Sequence, residues 1–314
     1  MTSTTGDSRL ALATGLFGDA TALIADRDAW YRGVATTCAL PQPALDVATV
    51  DDAYARIVQR SRLDDLFSPT AWPDPADGWL EEASDHEIRP GLWLTNMGGA
   101  GGDREQFRAR ARRIFPEAEF GPLALRDIDA DAIGHVDAAV ALLESSFAEV
   151  WAQCAATISL IALHRSEVVS MQSSYTPETV YIGDALLRGP VWRTADGLLH
   201  EALHERTLLA RQLWRVLRAG YDEESAPAVH LPWSGGDVPD RYFTPWRLIS
   251  AAHVYTHLAT FRSVIGQRDE VTLPAFRGRF MLDALERPDF EADLGVEGIE
   301  LRDTLSQALR EVER

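Results

Sequence analysis

Residues 197–207 read G-L-L-H-E-A-L-H-E-R-T and place two histidines four positions apart, with a glutamate directly after the first. Apolar residues around them recur at helical spacing, so the stretch predicts one long helix. On a helix, residues four apart point in nearly the same direction and lie about one turn apart. The imidazoles of His200 and His204 can therefore hold one metal ion from one side, with Glu201 beside them.

A second histidine pair lies on another predicted helix downstream. Thr244 is the expected N-cap of this helix, Pro245 suits its first position, and Gly266 marks its expected end. His253 and His257 lie on it, again four residues apart. A metal ion held by the first pair needs a third ligand from elsewhere, and this second helix offers one.

The pattern of apolar residues predicts an α+β fold that is predominantly helical, with long metal-binding helices packed with a small antiparallel sheet. We expect residues 1–150 to form a mostly helical region and residues 151–314 to hold the HExxH metal site, as one continuous globular unit. Three short β-branched segments, 158–163, 168–174 and 179–183, predict strands. The gaps between them are too short for crossover helices, so an antiparallel arrangement is expected.

Composition narrows the classes of partner. The chain has 314 residues and a formal net charge of −18, which repels nucleic acid and anionic membranes and favours a cationic partner such as a basic peptide. It has no apolar run of the roughly 20 residues that a membrane helix needs and no secretory pattern at its N-terminus, so we expect a cytoplasmic location. All 30 basic residues are arginines, which excludes chemistry that depends on lysine.

Two metal chemistries fit the histidine pattern. In the first, zinc binds His200 and His204 while Glu201 acts as general base of a metallopeptidase or amidase, with Glu223 as candidate third ligand. In the second, a redox metal binds the same pair and a histidine of the second helix, leaving positions open for a 2-oxo acid and O₂. Metal affinity alone favours zinc over iron, so the ligand spacing does not decide between these chemistries.

Three segments, taken in order, resemble the α-ketoglutarate-dependent HExxH-type peptide β-hydroxylases of actinobacterial peptide-modification clusters. These segments are S-S-Y-T-P-E-T-V-Y-I (173–182), L-L-H-E-A-L-H-E-R-T-L-L (198–209) and F-T-P-W-R (243–247). The resemblance implies an Fe(II)- and 2-oxoglutarate-dependent dioxygenase of natural product biosynthesis. Such an enzyme hydroxylates an unactivated C–H bond of a peptide or amino-acid-like substrate.

The resemblance also implies a ligand set. His200 and His204 would bind the iron, and a later histidine would be the third ligand. The spacing after P-W-R is shorter here than in the family, so that third ligand is either His253 or His257. We prefer His253, because the two alanines before it leave room for close approach, and keep His257 as the alternative.

Three further residues acquire roles from the same resemblance. Glu201, the candidate catalytic residue, would orient a ligand or contact the substrate in an oxygenase. The distal carboxylate of 2-oxoglutarate needs a cation, which only arginine can provide in this chain. Arg247 and Arg262 flank the second histidine helix and are the candidates for cofactor binding.

Overall fold

The computed structural model describes residues 20–40, 42, 47–65, 82–114, 126–165, 169–234 and 241–314. This part of the chain is mostly helical, with one five-stranded and one two-stranded sheet, which confirms the predicted α+β, predominantly helical class. Its contacts divide it into two compact units that interleave along the sequence. The sheet unit comprises the described residues of 24–145 and 154–205, and the helical unit comprises those of 20–23, 146–153 and 206–314.

The elements up to residue 213 include all the strands of the larger sheet. In chain order they are α1 (Ala20–Thr37), α2 (Val50–Asp65), β1 (Asp85–Arg89), β2 (Leu92–Thr95), α3 (Gly102–Ile114), α4 (Ala130–Ser146), α5 (Ala148–Ala155), β3 (Leu160–His164), β4 (Ser170–Gln172), β5 (Thr179–Gly183), α6 (Asp184–Leu187) and α7 (Val191–Leu213). Helix α7 carries the HExxH segment and continues from the sheet unit into the helical unit.

The five-stranded sheet has the order β1-β2-β3-β5-β4 and is mixed, so the prediction of an antiparallel sheet is wrong. Strand β3 pairs in parallel with both β2 and β5, whereas β4 is antiparallel to β5. The chain leaves β3, forms the edge strand β4 and then returns as β5 between them, which makes β3 and β5 parallel without a crossover helix. All residues of β3 and β5 are buried, as is typical of central strands covered on both faces.

Two strands lie within the region that the sequence predicts to be mostly helical. Strands β1 and β2 form an antiparallel hairpin, and β2 joins the sheet beside β3. The turn between them contains Gly91, whose φ of +76° is the left-handed conformation that glycine adopts most readily. Strand β1 reads D-H-E-I-R with a single apolar residue, and β2 reads L-W-L-T with three in succession. Neither shows the alternation of apolar and polar residues that predicts a strand.

The helical unit contains the second histidine helix. Its further elements are β6 (Val229–His230), β7 (Tyr242–Phe243), α8 (Pro245–Val264), α9 (Thr272–Leu285), α10 (Pro288–Glu291) and α11 (Val296–Val312). The hydroxyl of Thr244 accepts a hydrogen bond from the backbone N–H of Arg247, and Pro245 follows the cap, which confirms the predicted start of α8. Of the helices described, none is both long enough and apolar enough to cross a membrane.

A buried carboxylate gathers three arginines inside the sheet unit. Glu178 forms ion pairs with Arg27 at 3.0 Å, Arg56 at 3.0 Å and Arg60 at 3.1 Å. It also accepts a hydrogen bond from the hydroxyl of Ser159 at 2.8 Å. We call these five residues the Glu178 cluster. The cluster ties helices α1 and α2 to the segment that leads into β5, because Arg27 lies on α1 and Arg56 and Arg60 lie on α2.

The ionised form of the Glu178 carboxylate is strongly favoured over the protonated form. Burial acts to raise its pKa, but Arg56, Arg27 and Arg60, with the Ser159 hydroxyl, outweigh burial and lower this pKa to about 2. Glu178 also has a φ of +61°, which is uncommon for any residue other than glycine. The interactions of its side chain therefore hold both an ionised carboxylate and an unfavourable backbone conformation.

We expect Glu178→Gln to lower the free energy of unfolding by about 3–5 kcal/mol, because the substitution leaves buried guanidinium groups without their carboxylate. The matched control is Glu144→Gln, which removes an ion pair with Arg89. In this pair the Glu144 side chain is 42% exposed and the Arg89 side chain is 31% exposed. This control should change the stability by less than about 1 kcal/mol. Urea unfolding followed by circular dichroism measures both values.

The pH dependence separates a lost ion pair from a general packing defect. Because the pKa of folded Glu178 is lowered from 4.5 to about 2, its contribution to stability is present above pH 4.5 and declines as the pH falls toward 2. The difference in stability between wild type and Glu178→Gln should shrink over that interval. A difference that stays constant with pH would contradict the assignment.

Candidate metal centre

Helix α7 exposes a narrow stripe in an otherwise buried stretch. From Thr194 to Ala210, every residue is buried except His200, His204 and Leu208, which are half-buried. These three residues are spaced four apart and so share one side of the helix. The two imidazoles are therefore the polar side chains of this stretch that small molecules can reach most easily.

The structure brings His200 and His204 together as the sequence predicts. Their Nε2 atoms lie 3.2 Å apart, and the ring centroids are separated by 5.0 Å. An ion bound about 2.1 Å from each of two nitrogens places those nitrogens about 3.0 Å apart at a 90° ligand angle and about 3.4 Å apart at a tetrahedral angle. The pair therefore fits a single transition-metal ion, and the fit is equally good for iron and for zinc.

The protonation of His204 also suits a ligand. Burial and the neighbouring His200 lower the pKa of His204 to about 4, and Glu201 offsets this only in part. The His204 ring is therefore neutral at neutral pH. A neutral imidazole carries the lone pair that a metal ion binds, so no deprotonation opposes metal binding at this residue.

Glu201 is directed to the edge strand of the sheet. Its Oε1 accepts a hydrogen bond from the Ser170 hydroxyl at 2.7 Å, and its carboxylate also accepts one from the backbone N–H of Gln172. Burial raises the pKa of Glu201, while His204, Ser170 and Gln172 act to lower it. The carboxylate thus holds α7 against β4, and no pattern along the chain predicts this contact.

A second glutamate, directly after His204, makes a parallel contact that the sequence reading missed. Glu205 is fully buried and accepts a hydrogen bond from the Gln172 side-chain amide at 2.6 Å. It also forms an ion pair with Arg60 at 2.7 Å. The repeated His-Glu pair in H-E-A-L-H-E was the available signal, because two glutamates four apart on one helix share a face.

The second histidine pair is buried in the helical unit. His253 is 1% exposed and His257 is fully buried, and their ring centroids lie 4.4 Å apart. The Thr207 hydroxyl lies 2.9 Å from Nδ1 of His253, while Nδ1–H of His257 donates to the backbone carbonyl of His253 at 2.7 Å. In both rings Nδ1 is engaged, an arrangement that orients Nε2 in many metal-binding histidines.

The two predicted cofactor-binding arginines make contacts within the helical unit. Arg247 donates to the backbone carbonyl of Tyr242 at 3.3 Å, and its guanidinium lies 4.5 Å from the centre of the Phe243 ring. Arg262 donates to the carbonyl of Glu270 at 2.9 Å. These contacts leave the predicted role in 2-oxoglutarate binding as a prediction for both residues.

Glu223, the candidate third ligand under the zinc peptidase hypothesis, forms polar contacts near the start of α8. It accepts a hydrogen bond from the hydroxyl of Thr244, the N-cap of that helix, at 3.1 Å. Arg211 lies 3.5 Å from its other carboxylate oxygen. This carboxylate therefore links the end of α7 to the start of α8, which is a sufficient structural reason for its presence.

We expect the chain to bind one Fe(II) ion under anaerobic conditions, and we expect His200→Ala and His204→Ala each to weaken that binding at least about 100-fold. Loss of a residue that merely orients a ligand already costs about 10- to 100-fold in affinity, so loss of a ligand should cost at least as much. Equilibrium dialysis with metal analysis measures the affinity. His86→Ala, at an exposed position, is the control and should bind as wild type does; equal binding by all four proteins would contradict the site.

No group of three or more His, Cys, Asp or Glu side chains is positioned to hold a metal ion among the residues that the structure describes. The identity of the third ligand, His253 or His257, therefore stays a prediction. Comparison of the chain with models of protein families and with curated proteins found no match to either. A functional assignment accordingly rests on the residues of this chain and on the geometry of its histidine pair.

Proposed function

We propose that this chain is a non-haem Fe(II)- and 2-oxoglutarate-dependent oxygenase that hydroxylates an unactivated C–H bond of a peptide or amino-acid-like substrate. The observation that supports it most directly is the 3.2 Å separation of the His200 and His204 Nε2 atoms on the half-buried stripe of α7. Bound iron would supply the activation of O₂ that oxidises the 2-oxo acid and the substrate. The ordered resemblance of three segments to HExxH-type hydroxylases favours iron over zinc.

Different residues of the chain would bind the iron and position its ligands. His200 and His204 would hold the iron, with His253 or His257 as the third ligand. Glu201 would act as a positioning residue, because its carboxylate is bonded to Ser170 and to the backbone of Gln172.

Arginine is the cation that this lysine-free chain offers to the distal carboxylate of 2-oxoglutarate. Arg247 and Arg262 are the proposed residues. The net charge of −18 favours a substrate of opposite charge, such as a basic peptide, over nucleic acid. We propose a cytoplasmic location for the same reaction.

One observation favours an alternative, a zinc-dependent metallopeptidase or amidase. Burial raises the pKa of Glu201, and a carboxylate of raised pKa is a better general base near neutral pH. Against this alternative, the hydrogen bonds from Ser170 and Gln172 direct the same carboxylate to β4, and Glu223 is engaged with Thr244.

We expect the anaerobic Fe(II) protein to develop a metal-to-ligand absorption band when 2-oxoglutarate is added, and to form succinate slowly when air is admitted. Arg247→Gln or Arg262→Gln should weaken 2-oxoglutarate binding without changing the affinity for iron. Zinc at full occupancy, no response to 2-oxoglutarate, and peptide cleavage that is lost in Glu201→Gln would instead establish the hydrolase.

Single substitutions of the second pair should identify the third ligand. We expect His253→Ala to lower the affinity for Fe(II) by well over about 100-fold and His257→Ala to lower it less, since loss of an orienting residue costs about 10- to 100-fold. Both residues are buried, so circular dichroism must first show that each variant is folded. Equal iron affinities in two folded variants would contradict the assignment of His253.

A further inference from the structure

We propose that the edge strand β4 sets the orientation of the two metal-binding histidines by clamping α7 at two points. The β4 clamp consists of the hydrogen bonds Ser170–Glu201 and Gln172–Glu205. Ser170 and Gln172 are thereby positioning residues for the metal site. This inference rests on the proposed function, because it presupposes that His200 and His204 bind a metal ion.

The spacing of the clamp matches the repeats of a strand and a helix. Residues two apart on a strand lie about 6.6 Å apart on the same face, and residues four apart on a helix rise by about 6 Å. Ser170 and Gln172 are two apart on β4, and Glu201 and Glu205 are four apart on α7. Hydrogen bonds of 2.7 Å and 2.6 Å join them in register, so the strand runs along one side of the helix.

Gly197 extends the same side of α7 by one more turn. A Cβ atom at this position would lie 3.8 Å from Ser170 Oγ and 2.7 Å from Leu186 Cδ1. The missing side chain leaves room for Leu186 of α6, while Ser170 lies at ordinary van der Waals distance on the same side of α7. Positions 197, 201 and 205 therefore form one stripe that faces β4.

Each clamped glutamate directly follows one of the two histidines. Neighbouring residues on a helix differ by about 100° in direction, so fixing the glutamate stripe also fixes the direction of the histidine stripe. A rotation of α7 about its axis would break both hydrogen bonds of the clamp at once. The clamp therefore opposes the one motion that would turn both imidazoles in the same sense.

Glu205, at the second point of the clamp, also forms an ion pair with Arg60. Arg60 pairs with Glu205 at 2.7 Å and with Glu178 at 3.1 Å, and its Nε donates to the hydroxyl of Tyr31 at 2.7 Å. Arg60 and Glu205 are both almost fully buried. Glu205 is thus held on one side by the strand and on the other by the Glu178 cluster, which leaves its carboxylate little freedom to follow a rotating helix.

The test compares metal affinity with stability in matched variants. Ser170→Ala and Gln172→Leu each remove one hydrogen bond of the clamp, and Ser170→Thr keeps the hydroxyl. Thr176→Val is the control, because it removes a buried hydrogen bond within the sheet unit whose partner, Tyr181, lies on β5 and not on α7. Co(II), whose visible absorption reports its coordination, is the probe, and thermal unfolding measures stability.

We expect Ser170→Ala and Gln172→Leu each to weaken Co(II) binding about 10-fold or more and to alter its absorption band, as for other residues that orient metal ligands. Ser170→Thr should restore both properties, and Thr176→Val should lose stability while binding Co(II) within about twofold of wild type. Ser170 is half-buried on an edge strand, so Ser170→Ala should fold.

Two outcomes would overturn the inference, and they are distinguishable. If wild type binds Co(II) and both clamp variants bind it as tightly as Thr176→Val does, the clamp serves stability alone and the metal site stands. If wild type binds neither Co(II) nor Fe(II), the proposed function fails and the inference fails with it.

Discussion

The buried guanidinium of Arg60 joins the parts of the sheet unit on which the candidate metal site depends. It lies between two buried carboxylates, Glu178 directly before β5 and Glu205 on α7. Removing a charge from water is costly, so a buried arginine persists only where carboxylates compensate it. The same pairing places α2, the sheet and the HExxH helix in a single arrangement, and a shift of any one of them would leave a charge unpaired.

Helix α7 uses its two polar stripes for different purposes. The glutamate stripe is turned inward and engages β4, whereas the histidine stripe one residue earlier stays half-buried. Both stripes come from the same repeated His-Glu pair. The hydrogen bonds of the glutamates to the sheet keep the helix rigid, and the half-buried histidines stay accessible to a metal ion. A metal site requires both properties.

Arginine carries structural roles throughout a chain without lysine. The planar guanidinium serves several acceptors at once, as Arg60 does, and Arg104 shows the same behaviour on α3. Arg104 pairs with Asp51 and Asp85 at 2.8 Å each and donates to the carbonyl of Gly98 at 2.9 Å, which anchors the glycine-rich loop before that helix. A lysine would offer a point charge in place of this fork.

Features that depend on neighbours along the chain could be predicted from the amino-acid sequence. The helical repeat, the Thr244 cap and the four-residue spacing of His200 and His204 are local, so the start of α8 and the convergence of the pair were predictable. The parallel pairing of β3 with β5 and the hydrogen bonds of Glu201 and Glu205 to β4 became evident from the folded chain alone. Those partners lie 19 to 33 residues apart in the sequence. The spacing of apolar residues predicts a helix or a strand, but it does not specify the order of strands in a sheet. It also does not specify which distant polar side chains come into contact when the sheet forms.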